Sequence, residues 1–286
     1  MHIVVVGSGG PVGKSVAEAL WLDGHHVRQV SRRAGFSLDD RAGLDIAFCG
    51  ADAAFLMIPF DRAAHDLHAR EDEIARALSN AVARAQIPRV VSLSGTSAHL
   101  GERAGSGYGA AILEQRLNAL GIPELVHLRA CFLMENHLQG IPLIRRQGIY
   151  AWAFRPDRPT PMVAARDVSL LAAEILVDEL FDQPQAREVL GARDYSFAEA
   201  TSILGSAIDK PDLRYVQLAY EEAREAMVAN GASESFADAV MQTAHSFNDG
   251  ERWEQEQRSM ANTTVTTLEE FAGQVFRSAY RNACGS

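Results

Sequence analysis

The chain has 286 residues, 47% of them hydrophobic and 22% charged, and a formal net charge of −10. That length and apolar content suit one large α/β unit and exclude disorder as the organising state. So acidic a surface repels nucleic acid, with only the short basic pairs Arg32-Arg33 and Arg145-Arg146 against the trend, and no apolar run approaches the ~20 residues needed to span a bilayer.

The run His2-Ile3-Val4-Val5-Val6 is short, β-branched and apolar, as expected of a strand buried on both faces of a parallel sheet. It enters the chain with no charged leader and no cleavage site. The three cysteines, Cys49, Cys131 and Cys284, are odd in number and widely spaced, which suggests neither a disulfide framework nor a zinc site. A reducing, cytoplasmic setting is therefore expected. Gly7-Ser8-Gly9-Gly10-Pro11-Val12-Gly13 follows the strand at once, and Pro11 suits the first helical position. Val12, Val16 and Leu20 then recur every four residues up to Gly24, giving a helix with one apolar face.

A second strand at about His26–Ser31 completes a β-α-β unit, and the pattern repeats. Ala53–Ile58 reads as a strand stopped by Pro59, followed by an amphipathic helix from about Ala63 to Ala85. Arg89–Ser94 is the next strand, Tyr108–Leu120 a helix ended by Gly121 and Pro123, and Leu125–Leu128 a further strand. From Cys131 to Pro161 the rhythm breaks into a Gly-, Pro-, Arg- and aromatic-rich stretch, which reads as irregular structure lining a cleft. Met162–Ala165 and a helix from Arg166 to about Leu180 look like a return to the core. Beyond them, Ser196 with Glu199, and Thr266 with Glu269 or Thr267 with Glu270, have capping-box spacing, with helical stretches near Tyr220–Ala229 and Phe236–Phe247 between. The expected architecture is an α/β, doubly wound parallel-sheet Rossmann fold with a smaller, mostly helical C-terminal substrate lobe. The core is expected over residues 1–130, with 162–180 returning to it, and the lobe over 131–161 and 181–286.

Gly7, Gly10 and Gly13 form G-x-x-G-x-x-G between a buried strand and an amphipathic helix. A turn there must bring backbone N–H groups against a pyrophosphate, and only small residues permit that approach. The alternative is a plain structural turn. An acidic residue at the end of the second strand would take a ribose 2′-hydroxyl; Ser31-Arg32-Arg33 stands there instead and suits a 2′-phosphate, so NADP(H) is the expected cofactor. The alternative for those arginines is a solvated basic pair on a loop. Met57, Ile58, Pro59 and Ser94, at the ends of the third and fourth strands, are expected to line the same cofactor.

These segments resemble the NmrA-like, atypical short-chain dehydrogenase/reductase family along nearly the whole chain. The glycine turn is similar to that family's G-A-T-G-x-x-G, with Ser8-Gly9 in place of Ala-Thr. Asn80 to Ser94 looks like its fourth strand with the preceding helix. Gly121-Ile122-Pro123 through Leu128-Arg129 to Phe132-Leu133-Met134-Glu135-Asn136 resembles its S-G-L-P-x-T-x-L-R-P-x-x-F-M-x-N run. Arg166-Asp167-Val168 and Thr267-Leu268-Glu269-Glu270-Phe271-Ala272 match two further elements. The resemblance implies NADP(H) binding, with either reduction of quinones, enones and related small molecules or dinucleotide sensing without turnover. It also places Tyr108 where the wider superfamily has the tyrosine of a Tyr-x-x-x-Lys pair. Ile112 stands four residues on, and the helix has no lysine, so Tyr108 lacks the group that would lower its pKa.

Tyr108 and Ser94 are the candidate catalytic residues, and Thr96, Cys131, Phe132, Asn136 and Trp152 the candidate substrate pocket. Tyr108 alternatively closes the pocket, Ser94 and Thr96 form a turn, Asn136 caps one, Cys131 is a structural thiol, and Trp152 with Tyr150 and Phe154 packs the lobe interface. No metal is expected: His65 and His68 share a helical face without a third ligand and read as a solvated surface, and His127 reads as a satisfied core histidine. The expected function is NADPH-dependent reduction of a small quinone, enone or carbonyl compound by direct hydride transfer, by a monomer or homodimer. The alternative is a non-catalytic NADP(H)-sensing regulator.

Overall fold

The computed structural model describes residues 1–251 and 253–283; Cys284 lies outside them. Strand β1 (His2–Val6) leads into helix α1 (Pro11–Leu22), whose Val12, Val16 and Leu20 are buried, and Gly24, at φ +83°, turns the chain into β2 (His26–Val30). A short helix α2 (Arg41–Phe48) precedes β3 (Ala53–Leu56). Helix α3 (Leu67–Ala85) starts four residues later than its periodicity suggests, because Asp61 accepts the Ala63 N–H in a turn and the Asp66 side chain then accepts the Ala69 N–H as the cap. β4 (Arg89–Gly95), a run of 3₁₀ turns over Thr96–Gly107, α4 (Tyr108–Asn118) and β5 (Glu124–Ala130) follow.

The stretch 131–161, expected to be irregular, is not. It holds β6 (Phe132–Leu133), a 3₁₀ segment Met134–Gly140, α5 (Ile141–Gln147), β7 (Ile149–Trp152) and the start of β8 (Thr160–Val163). These elements are too short to show a periodicity, and their glycines and proline serve as ends: Pro142 lies in the first turn of α5 and Gly148 closes it at φ +68°. Helix α6 (Ala165–Val177) leads to β9 (Ala186–Val189), then β10 (Asp194–Tyr195), α7 (Phe197–Ala207) and β11 (Arg214–Gln217). Helices α8 (Tyr220–Ala229), α9 (Glu234–Asn248), α10 (Leu268–Phe271) and, after a π-turn, α11 (Arg277–Asn282) complete the chain. Thr267 and Glu270 form the full capping box; Thr266 is drawn off by Asp167, which accepts both its N–H (2.9 Å) and its hydroxyl (2.6 Å).

The main sheet is parallel with strand order β2-β1-β3-β4-β5-β9. Its sixth strand comes from residues 186–189, within a stretch the sequence reading gave to the lobe. One face packs against α1 and α6, the other against α2, α3 and α4, as a doubly wound sheet requires. A third core, around Tyr150, Tyr195, Phe197, Phe247, Phe271 and Phe276, fills the mostly helical C-terminal lobe. Chain order reverses between β1 and β3, which opens a crevice at their carboxyl ends. No helix among the described residues is long and apolar enough to cross a membrane.

Two polar networks brace β4 and β5 against α4. His127, on β5, accepts from the Ser92 hydroxyl (2.6 Å) and donates to Asn118 (2.9 Å), and burial lowers its pKa, so it is a satisfied, neutral core histidine. Arg129 donates from Nε and Nη2 to the buried Glu114 carboxylate on α4 at 2.9 and 2.6 Å. Burial alone would raise the Glu114 pKa; the Arg129 hydrogen bonds, with Ser94 alongside, hold it below its ordinary 4.5. The pair therefore stabilises the fold above the ordinary carboxylate range, and that contribution fades as the pH falls through the lower folded-state value. Arg129→Met should cost about 3 kcal/mol at neutral pH by leaving Glu114 buried and uncompensated. Chemical denaturation should show the gap to the unmodified protein closing below about pH 4; a gap independent of pH would mean that Glu114 is not held by Arg129.

Candidate functional site

The glycine turn is built on a backbone contact. Gly7 leaves β1 at φ +82°, donates to Val30 (3.0 Å) and accepts from the Gly10 N–H (2.9 Å). A Cβ on Gly13 would lie 2.6 Å from the Gly7 carbonyl carbon and 2.9 Å from the Ser8 nitrogen, so α1 can sit on the turn only with glycine there. A Cβ on Gly10 would meet only the Gly7 carbonyl oxygen, at an unstrained 3.6 Å, so the space beside the turn can take a side chain. With Pro11 at its start, α1 has no side-chain cap, so its first N–H groups, at Val12 and Gly13, and the positive end of its dipole face that space. The Ser8 hydroxyl is buried there without a hydrogen-bond partner among the described residues. An uncapped helix end, an orphaned hydroxyl and a space that a side chain would fill suit a pyrophosphate.

The other expected cofactor segments converge on the turn. Gly9 lies against Ser31, and Met57 lies where a Cβ on Gly7 would fall. Ser31 caps a single 3₁₀ turn that carries Arg32 and Arg33, both exposed and without an ion pair or hydrogen bond among the described residues. Most arginines of the helices are engaged; Arg70, Arg84 and Arg116, for example, bridge Asp39, Asp45 and Asp72. Ile58 and Pro59 lie just past the end of β3, half-buried. Ser94 is near the end of β4, its hydroxyl buried and outside hydrogen-bonding geometry, and Thr96 is buried at the start of the 3₁₀ segment.

Tyr108 opens α4, half-buried, its hydroxyl free of hydrogen bonds from the described residues. Ile112, in the position of the absent lysine, is 8% exposed and packs into the core with Leu113 and Leu117. Against Tyr108 stands His68, whose spacing from His65 suggests a solvated helix surface. His65 precedes α3, so it does not share a helix face with His68. His68 instead packs edge-on to the Tyr108 ring (centroids 5.1 Å apart, 84°) and places Nδ1 2.8 Å from Oε2 of Glu71. Glu71 is 1% exposed, and its Oε1 has no partner among the described residues. Burial raises the Glu71 pKa; the hydrogen bond to Glu71 raises that of His68 against the cost of its own burial. Glu71 occupies a slot of the apolar stripe Leu67, Ile74, Ala75, Leu78, a placement that the sequence shows without giving its partner.

The expected pocket residues divide. Cys131 is buried at the end of β5, its N–H bonded to Val189, and burial pushes its thiol pKa well up, which makes it a structural thiol. Phe132 and Trp152 are half-buried in an aromatic group with Phe154 and Phe197. Within that core His137 accepts from the Tyr150 hydroxyl (2.6 Å), its pKa pushed down to about 3 by burial, so it is neutral. Asn136 is half-buried in the 3₁₀ segment beside Glu135, whose carboxylate accepts the Ala165 N–H (2.9 Å) and ties that segment to α6.

A sequence model described as the NmrA-like family matches residues 1–272, and the chain belongs to that family. A curated relative, the (4-alkanoyl-5-oxo-2,5-dihydrofuran-3-yl)methyl phosphate reductase of Streptomyces griseus, is 28% identical, over 96% of this chain and 94% of its own. Among solved structures, an NADPH-dependent quinone oxidoreductase of Escherichia coli in complex with NADPH superposes with a TM-score of 0.75. It is 18% identical and covers 96% of this chain and 100% of its own. NmrA, a negative transcriptional regulator solved in complex with NAD, has a TM-score of 0.71 and 17% identity, covering 100% of this chain and 98% of its own. At these identities the structures establish a shared fold, one that carries both reductases and a regulator.

The two inner glycines of the turn should separate under mutation. Gly10→Val should leave the melting temperature nearly unchanged while abolishing dinucleotide binding in calorimetry. Gly13→Ala should destabilise by about 1–3 kcal/mol through overpacking against Gly7. A folded Gly10→Val protein with undiminished affinity would place the dinucleotide elsewhere.

Proposed function

We propose that this member of the NmrA-like family binds NADP(H) across the turn Gly7–Gly13 and the Ser31–Arg33 segment, and reduces a small quinone, enone or carbonyl compound by direct hydride transfer. The observation that carries the proposal is the pairing of an uncapped α1, behind a turn that needs glycine at Gly13, with two arginines that no group among the described residues engages. Idle guanidinium groups at the end of β2 suit a 2′-phosphate, and Ser31 adds a hydroxyl beside them. The reductase activities named for the Streptomyces and Escherichia coli proteins support the reaction class.

When bound, the nicotinamide supplies the hydride. The chain's own part is to hold the two reactants in line and keep water from them. Met57, Ile58 and Pro59 would wall one side of the nicotinamide half, and Ser94 and Thr96 the end of β4. Phe132 and Trp152 offer flat apolar surface to a planar substrate. Reduction of a quinone leaves a stabilised oxyanion, so the lysine displaced by Ile112 is dispensable there, whereas an ordinary carbonyl still requires a proton donor. The second reading, a dinucleotide sensor without turnover, is favoured by that same Ile112 and by the regulator on the same fold.

NADPH should bind at least tenfold more tightly than NADH. Arg32→Ala and Arg33→Ala should each remove roughly 1.5–3 kcal/mol of that preference, and equal affinities in calorimetry would refute the phosphate assignment. Tyr108→Phe should alter KM more than kcat with quinones, because the tyrosine lines the pocket; a hundredfold fall in kcat would restore it as the essential acid. NADPH bound tightly by a protein that oxidises it with no quinone, enone or carbonyl would favour the sensor.

A further inference from the structure

We propose that His68 and Glu71 form the acid–base dyad of this site: buried Glu71 fixes the imidazole through Nδ1, and Nε2, beside Tyr108, delivers a proton to the substrate. The inference rests on the reductase reading above.

Glu71 is the less expected half. Its carboxyl group fills the space left by Gly109 on α4, where a Cβ would lie 2.6 Å from Oε1. A carboxylate 1% exposed and with one oxygen unpartnered is costly, and a leucine at this slot of the apolar stripe would serve packing better. What Glu71 does make is the 2.8 Å hydrogen bond to His68 Nδ1. That bond fixes the ring orientation and leaves Nε2 as the free nitrogen, on a side chain 35% exposed and with no other hydrogen bond among the described residues. The ring lies edge-on to Tyr108, the first residue of α4 and the proposed pocket tyrosine.

The charges around the imidazole agree in sign. Glu71 and Asp66 come from its own helix and its cap, Glu102 from the 3₁₀ segment that leads into α4, and all three favour the protonated ring. Tyr108 is the titratable group facing it from α4. These charges raise the His68 pKa and so favour the ring that carries a proton on Nε2, with Nδ1–H bonded to Glu71. Hydride addition to a carbonyl carbon breaks the C=O π bond and leaves the electron pair on oxygen. The Nε2–H bond then breaks, its proton goes to that oxygen, and solvent returns a proton to the exposed ring. The reductant is the reduced nicotinamide dinucleotide. Glu71 is a positioning residue, because it acts through His68.

Imidazole NMR titration of the full chain tests the dyad without turnover. The His68 midpoint should lie above the ordinary 6.5 and fall by about one unit or more in Glu71→Gln, since a lost carboxylate partner shifts a neighbour by that much. In turnover, His68→Asn should lower kcat for a carbonyl substrate roughly 10²-fold with little change in KM, and for a quinone by less than about tenfold. The alkaline limb of the carbonyl pH profile should move down in Glu71→Gln together with the NMR midpoint. A midpoint insensitive to Glu71→Gln, or a His68→Asn variant that matches the unmodified protein on carbonyls, overturns the dyad alone. An unmodified protein that binds NADPH and reduces nothing overturns the reductase reading and the dyad with it.

Discussion

The contact between Gly13 and the carbonyl of Gly7 sets the geometry on which the site depends. It seats the first turn of α1 on the end of β1 with no side chain between them. The helix can then bury Val12, Val16 and Leu20 against the sheet and α6, where the Ser169 hydroxyl reaches the Val12 carbonyl at 3.1 Å. The same seating aims the uncapped helix end along the crevice between β1 and β3. A turn that needs glycine at one position for packing and leaves another open is built from backbone, so its geometry does not depend on side-chain rotamers.

The C-terminal lobe is fixed to the carboxyl edge of the sheet by polar ties. Asp167 at the start of α6 holds Thr266, Glu135 holds the Ala165 N–H, and Glu188 on β9 accepts from the Gln255 and Glu256 N–H groups. On the side of α3, Ser235 accepts the Leu67 N–H, and Thr243 accepts the Ser106 N–H beneath Gly105, where a Cβ would meet α9. The loops that follow β3 and β4 are thereby held between sheet and lobe. The start of α3, with His68, and the start of α4, with Tyr108, hang from those loops and so face each other.

Much of this was legible in the sequence because its signals are local. A buried β-branched strand, a glycine turn and a four-residue apolar repeat specify the first β-α-β unit, and the mutual spacing of Thr267 and Glu270 specifies a cap. What escaped was short or non-local. Helix α2 has only eight residues, β6 and β10 have two each, and the start of α3 was displaced by a turn at Asp61. β9 belongs to the sheet only by pairing with β5, some 60 residues back, a distance at which periodicity carries no information. In the candidate site, the convergence of the glycines with Ser31 and Met57 was readable from position after strands. Glu71 was not, because its meaning lies in Gly109, whose missing side chain belongs to another helix.

The composition narrows which group can supply a proton here. The chain has two lysines, Lys14 and Lys210, both exposed and neither on α4. Its remaining permanent cations are arginines, which bind anions but do not release protons near neutral pH. Arg129, which reaches toward α4 from β5, is already committed to Glu114. Ile112 is held by the core that α4 needs in order to pack, so that position offers no ammonium without loss of packing. Cys131 and His137 are buried with their titrations driven away from neutrality. Of the titratable groups around Tyr108, His68 alone among the described residues combines a free ring nitrogen, partial exposure and a carboxylate partner that raises its pKa. With Ile112 standing where the resemblance leads one to expect a lysine on α4, the proposed dyad puts an imidazole on α3 across the helix interface, and Gly109 makes room for its Glu71 partner.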